Sequence, residues 1–109
     1  MTTITEDYCS KEIYRLLIEN GFDGEVHTTF DEEGYTQPSI TLQMAMKWLR
    51  EVHNINIDIV SVWNQKRFEY QVFIVTPENA KHCYVDDKLY LVYEQACEAA
   101  IKYCLEHLI

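Results

Sequence analysis

The sequence predicts an α+β domain: an antiparallel sheet of about three to four strands centred on a hairpin, with three helices packed mainly on one face. Three observations predict it. Three segments repeat apolar residues at helical spacing, two adjacent segments near the middle alternate them with a period of two, and a short polar break separates those two. The 109 residues read as one domain spanning residues 1–109, with no linker-like stretch, internal repeat or low-complexity tract. At that length roughly two-thirds of the unfolded chain's surface can be buried, so neither a disulfide nor a metal is needed to hold the core.

The first helix is expected from Tyr8 to Asn20, capped by Asp7 or Ser10. Cys9, Ile13, Leu16, Leu17 and Asn20 share one face. Gly21 supplies the left-handed stop, and Phe22 then returns onto Leu17 in a Schellman motif. Val26, Thr28 and Phe30 alternate with Glu25, His27 and Thr29 as a short strand, closed by Asp31–Glu32–Glu33–Gly34. Thr41 caps the second helix, whose inner face is Leu42, Ala45, Met46, Leu49, Val52 and His53. Gln43, Lys47, Arg50 and Glu51 lie outside. Met44 and Trp48 widen the apolar arc, which implies contact with both a sheet and another helix.

Ile55, Ile57, Ile59, Ser61 and Trp63 alternate with Asn56, Asp58, Val60, Val62 and Asn64. Beyond the break, Phe68, Tyr70, Val72 and Ile74 alternate with Glu69, Gln71, Phe73 and Val75. With Asn64–Arg67 as the loop, Trp63 faces Phe68, Ser61 faces Tyr70, Ile59 faces Val72 and Ile57 faces Ile74. After the turn Thr76–Pro77–Glu78–Asn79, a third strand is expected from Lys81 to Val85, with Cys83 and Val85 toward the core and His82 and Tyr84 opposite. Asp86–Asp87–Lys88 breaks it, and Leu89–Leu91 forms a short edge piece. The third helix covers Tyr93–Leu108, with Cys97, Ala100, Ile101, Cys104, Leu105 and Leu108 inside. Outside, Glu98 is spaced to pair with Lys102, while Val92 is a poor cap. The order is αβαβββ(β)α. The pattern leaves the place of the first strand open, since a helical crossover before Ile55 permits parallel pairing.

Eighteen acidic residues against nine basic ones give a formal charge of −9, which repels phosphate backbones and anionic lipid. Nucleic acid and membranes are therefore not expected partners. Lys66–Arg67 between Trp63 and Phe68 is the sole basic–aromatic cluster, too small to overturn that balance. MTTITEDYC has neither a basic nor an apolar leader region, so a cytoplasmic location is expected. The four cysteines, Cys9, Cys83, Cys97 and Cys104, form no CxxC pair and are expected as small buried hydrophobes.

Catalysis has little to stand on. An activated thiolate needs a partly open, positive or hydrogen-bonding site, and three of the cysteines fall on predicted core faces. His27, His53, His82 and His107 are bases by type alone. Cys104-x-x-His107 has ligand spacing, with His82–Cys83 as the other half, yet no second spaced pair completes a metal site. The acids of Asp31–Glu32–Glu33 and Asp86–Asp87 fall in turn-like segments and are expected to be solvated, whereas general acid work needs a carboxyl in a dry cleft. No phosphate-cradling loop, GxSxG or HExxH occurs. The expectation is no enzyme, no catalytic residue, no metal and no cofactor.

The second face of the sheet carries more information. Val60, Val62, Phe73, Val75, His82 and Tyr84 fall there among Asn56, Asp58, Glu69 and Gln71. That mixture is too apolar for a fully solvated face and too polar for a core. It implies partial cover by the first helix, by a second copy or by a protein partner.

TLQMAMKWLREVHNI (Thr41–Ile55) and YEQACEAAIKYCLEHLI (Tyr93–Ile109), with LLxxxGF from Leu16 to Phe22, resemble a family of small proteins of unknown function from gut bacteria, often found with phages and mobile elements. The likeness covers most of the chain. The chain departs from the family pattern at Val92, where a Thr or Ser cap is typical, and at Ile40, often a Pro. The resemblance implies a phage-related accessory setting and carries no site residue or activity. The expected function is a non-catalytic protein-interaction or accessory module. The alternatives are an acidic decoy that occupies a nucleic-acid-binding protein, which needs its acids grouped on one surface, and a small enzyme, which needs a cleft of convergent polar groups.

Overall fold

A computed structural model describes residues 7–30, 32–85 and 88–109, with the backbone alone for Tyr84 and Val85. Its elements are α1 (Lys11–Glu19), β1 (His27–Phe30), β2 (Thr36–Ser39), α2 (Leu42–His53), β3 (Ile55–Val62), β4 (Arg67–Thr76), β5 (Asn79–Val85) and α3 (Tyr93–His107). The fold is α+β, with a two-stranded antiparallel sheet β1–β2 and a three-stranded antiparallel sheet β3–β4–β5.

Ser10 caps α1, its hydroxyl accepting from Ile13 N at 3.4 Å, so the helix begins three residues after Tyr8. The segment before it does a different job. Cys9 N donates to the Ile40 carbonyl and Leu42 N to the Asp7 carbonyl, lashing the segment to the start of α2. At the other end Gly21 sits at φ +92°, where glycine meets no Cβ penalty. Phe22 N bonds to Leu17 O at 2.9 Å and Gly21 N to Ile18 O at 3.1 Å, which is the expected Schellman motif. Phe22 is buried and meets Trp48 edge-on at 5.6 Å.

The first predicted strand pairs with one that sequence patterning did not show. His27 lies opposite Ser39 and Phe30 opposite Thr36, so β1 joins a hairpin of its own and not the main sheet. Thr41 caps α2 through Met44 N at 3.1 Å. Leu42, Ala45, Met46, Trp48 and Leu49 are buried, whereas Val52, expected inside, is 55 % exposed. The face turns toward Trp48 near the end of the helix, and Asn54 closes it at φ +58°.

In the main hairpin the register differs by two residues from the expected one. Ile57 faces Val72, Ile59 faces Tyr70 and Ser61 faces Phe68. The turn is residues 63–66: Trp63 leaves the strand and Lys66 takes φ +53°. Arg67 then pairs with Val62, and its guanidinium donates to the Gln65 and Lys66 carbonyls. A slip of two preserves the side-chain alternation, so the faces stay as expected. Between β4 and β5 the ladder contains a bulge. Phe73 lies opposite His82 but Val72 opposite Tyr84, which leaves Cys83 as the extra residue. The bulge corrects the expected placement: the backbone of Tyr84 pairs with a core-face residue, not in step with His82. The side chains of Tyr84 and Val85 lie outside the described residues, as do Asp31, Asp86 and Asp87. The edge piece at Leu89–Leu91 reduces to one bridge, Tyr90 to Phe68.

α3 lies over β3 and β4, α2 over β3, and α1 on α3. Ala96, Cys97, Ala100 and Cys104 are fully buried, and such small side chains let α3 approach its neighbours closely. Val72 and Ile55 close the core from the sheet. The expected Glu98–Lys102 pair is replaced by bonds between helices. Lys102 Nζ meets Glu12 at 2.9 Å, and the Glu98 carboxylate accepts from Ser10 N at 2.6 Å. Val92 makes no side-chain cap.

Candidate interaction face

The three helices lie on one face of β3–β4–β5, and the other face holds the residues singled out from sequence. Antiparallel pairing sets them in rows. Val75 lies opposite Ala80; the next row is Asn56, Phe73 and His82, then Asp58 with Gln71, Val60 with Glu69 and Val62 with Arg67. Directly opposed side chains share a face. Val60, Val62 and Phe73 are half-buried, while Val75 and His82 are exposed. No side chain described on this face is fully buried.

The rows divide the predicted face into two apolar patches. At one end the Phe73 ring lies 4.8 Å from the His82 ring, tilted by 48°, with Val75 beside them. At the other end Val60 and Val62 run toward Trp63, which is 84 % exposed. Asp58 and Gln71 form the polar row between. Arg67 is held by the turn carbonyls, so the Val62 end has one fixed cation beside it. The two apolar ends are split by a carboxylate and an amide, and Glu69 and Arg67 lie opposite Val60 and Val62.

His82 apart, the described residues weighed for catalysis lie elsewhere. Burial pushes the Cys9 and Cys104 thiols up to about 12 and the Cys97 thiol up to about 11, so all three are protonated at neutral pH. Cys83 is half-buried, its sulfur 3.7 Å from the Lys81 carbonyl. His107 packs against Tyr103, and His53 meets the edge of Trp48 at 4.7 Å with its Nε2 buried and unpartnered. Glu32 and Glu33 are exposed in the β1–β2 turn. Among the described residues no three His, Cys, Asp or Glu side chains are placed to hold a metal.

One arrangement escaped the sequence reading. His27 Nε2 lies 3.1 Å from Glu25, and its Nδ1 lies 3.4 Å from the Tyr8 hydroxyl. With the proton on Nε2, Nδ1 accepts from Tyr8, which gives a carboxylate–imidazole–phenol chain beside a cleft of about 230 Å³ lined also by Thr41, Gln43, Met44 and Lys47. The i, i+2 spacing of Glu25 and His27 was the available signal; Tyr8 is brought in by the bridge to Thr41. The side chains of His27 and Glu25 are 33 % and 67 % exposed, so water screens the chain and leaves it an ordinary surface network.

Comparison of the chain with known protein families, with curated proteins and with solved structures finds no match.

Proposed function

We propose that the protein is a non-catalytic interaction module that docks a protein partner on the second face of β3–β4–β5. The observation that carries the reading is the placement of Val60, Val62, Phe73, Val75 and His82 on the sheet face opposite all three helices. Half-exposed apolar side chains there gain by further burial, at about 25 cal/mol per Å² of apolar surface removed from water. The polar row of Asp58 and Gln71 supplies register, because a partner must pair those groups or leave them unsatisfied.

The partner is a protein and not a nucleic acid, and the module works without a cofactor. The acidic residues support this: they are spread over α1, α2 and α3, the main sheet and the β1–β2 turn, a distribution suited to solubility and not to a decoy surface. No helix among the described residues is long and apolar enough to cross a membrane. The setting we propose is cytoplasmic and phage-related, and it rests on the family resemblance of the two long helical segments.

The test is capture from a lysate of the organism that carries the gene. Tagged wild-type chain and a Val62→Lys, Phe73→Glu double variant are compared, with bound protein and nucleic acid both identified. A stoichiometric protein held by the wild type and lost by the variant is the expected result. A partner that both forms hold equally, or none at all, contradicts the proposal.

A further inference from the structure

β3 is an edge strand, and its outer backbone groups can be assigned. Val75 N donates to the Asn54 carbonyl at 2.8 Å, while Phe68 exchanges bonds of 2.8 and 2.7 Å with Tyr90 on the other side of β4. Bonding in an antiparallel ladder alternates from residue to residue. Asn56, Asp58, Val60 and Val62 therefore bond to β4, and the N–H and C=O of Ile57, Ile59 and Ser61 point away from it. Among the described residues no group bonds to them.

Sheet edges usually carry a device that stops further pairing: a lysine, a proline, a bulge or a covering segment. The β5 side has Lys81, the bulge at Cys83 and the Tyr90 bridge. The eight residues of β3, INIDIVSV, contain no Lys, Arg, Pro or Gly and no bulge, and their one charge is Asp58. Such an edge is open to another strand.

We propose that β3 pairs antiparallel with β3 of a second copy, with Ile59 opposite Ile59, joining two three-stranded sheets into one of six strands. The outward groups allow only registers that differ by two residues, and charge selects among them. Centring on Asp58 sets two carboxylates directly opposite each other, which is destabilising. Centring on Ile57 runs the pair into Asn54 and the end of α2, and centring on Ser61 runs it into the 63–66 turn. With Ile59 at the centre, Asp58 lies opposite Val60, Asn56 opposite Val62 and Ile57 opposite Ser61. Centring on Val60 pairs Ile59 with Ser61 but sets Ile57 opposite Trp63 in the turn. The Ile59 register is the one that pairs Ile57, Ile59 and Ser61 within the two strands without facing carboxylates. The pairing also joins the two second faces into one surface. It does not depend on the partner docking proposed above, because the purified chain alone tests it.

The experiment is sedimentation of the purified chain across a concentration series, with circular dichroism confirming that each variant is folded. An edge interface of this kind is small, so a roughly micromolar dimer is expected. Val60→Lys sets a lysine opposite Asp58 of the second copy twice over and tightens the dimer about fivefold. Val60→Asp sets like charges together and weakens it by about fivefold or more. Ser61→Pro removes an outward N–H and abolishes the dimer; if that variant fails to fold, the Val60 pair decides. A chain monomeric throughout, a dimer that both Val60 variants shift in the same direction, or a dimer that survives in folded Ser61→Pro overturns the proposal.

Discussion

Gly21 and the cysteines show how single residues act through different physics. A Cβ built on Gly21 meets nothing within 4 Å, so Gly21→Ala introduces backbone strain at φ +92° and no clash. The expected loss is about 1 kcal/mol in urea unfolding, with the fold unchanged. The buried thiols act through ionisation. A thiol whose folded pKa is raised contributes stability that is fully present below the unfolded pKa and lost as pH rises toward the folded one. With Cys9 and Cys104 near about 12 and Cys97 near about 11, that window opens near pH 9. Each thiol then removes about 1.4 kcal/mol per pH unit. Unfolding followed from pH 8 to 11 is expected to show a steep loss of stability, and Cys104→Ala to flatten it. Equal slopes would mean that the thiols are not held neutral by burial. Residue-level signals of this local kind were legible: Gly21, Thr41 and Ser10 act on their own helix ends. The Lys102–Glu12 and Ser10–Glu98 contacts were not, because each joins positions far apart in the chain.

Elements with strong periodicity were found in the sequence, and those without it were missed. All three helices and the β3–β4 hairpin follow from spacing. β2, Thr36–Gln37–Pro38–Ser39, has no apolar alternation and carries a proline, so only its pairing with β1 reveals it. The two-residue slip in the hairpin has the same origin. Nothing in Trp63–Asn64–Gln65–Lys66–Arg67 distinguishes the two possible four-residue turns until Lys66 takes a left-handed φ and Arg67 binds the turn carbonyls. Because strands have a period of two, the slip cost the prediction its partners on β3 and β4 and not its faces there, whereas the bulge puts Tyr84 out of step with His82. The start of α3 offers an element-scale test. Val92 has the extended backbone of a cap, φ −128° and ψ 154°, and no side-chain bond to give. Val92→Ser supplies the missing acceptor and is expected to raise unfolding stability by about 1 kcal/mol, read in urea or as a higher Tm. No gain would mean that the first turn of α3 is satisfied in another way.

At the scale of the whole molecule the helices lie on one face of the main sheet, and among the described residues no group bonds to the outer edge of β3. The mixed apolar and polar character of the other face was legible in the sequence, but its division into two patches became visible only through the register. The central claim is that a protein docks there. Its most direct test is the affinity of the captured partner for Val62→Lys, Phe73→Glu and Val52→Lys, measured by calorimetry on purified proteins. Val52 is the control, since it is an equally apolar, 55 % exposed residue on α2. The account predicts a loss of about tenfold or more for each face variant and no change for Val52→Lys. Unchanged affinity in both face variants, or a loss confined to Val52→Lys, would contradict it.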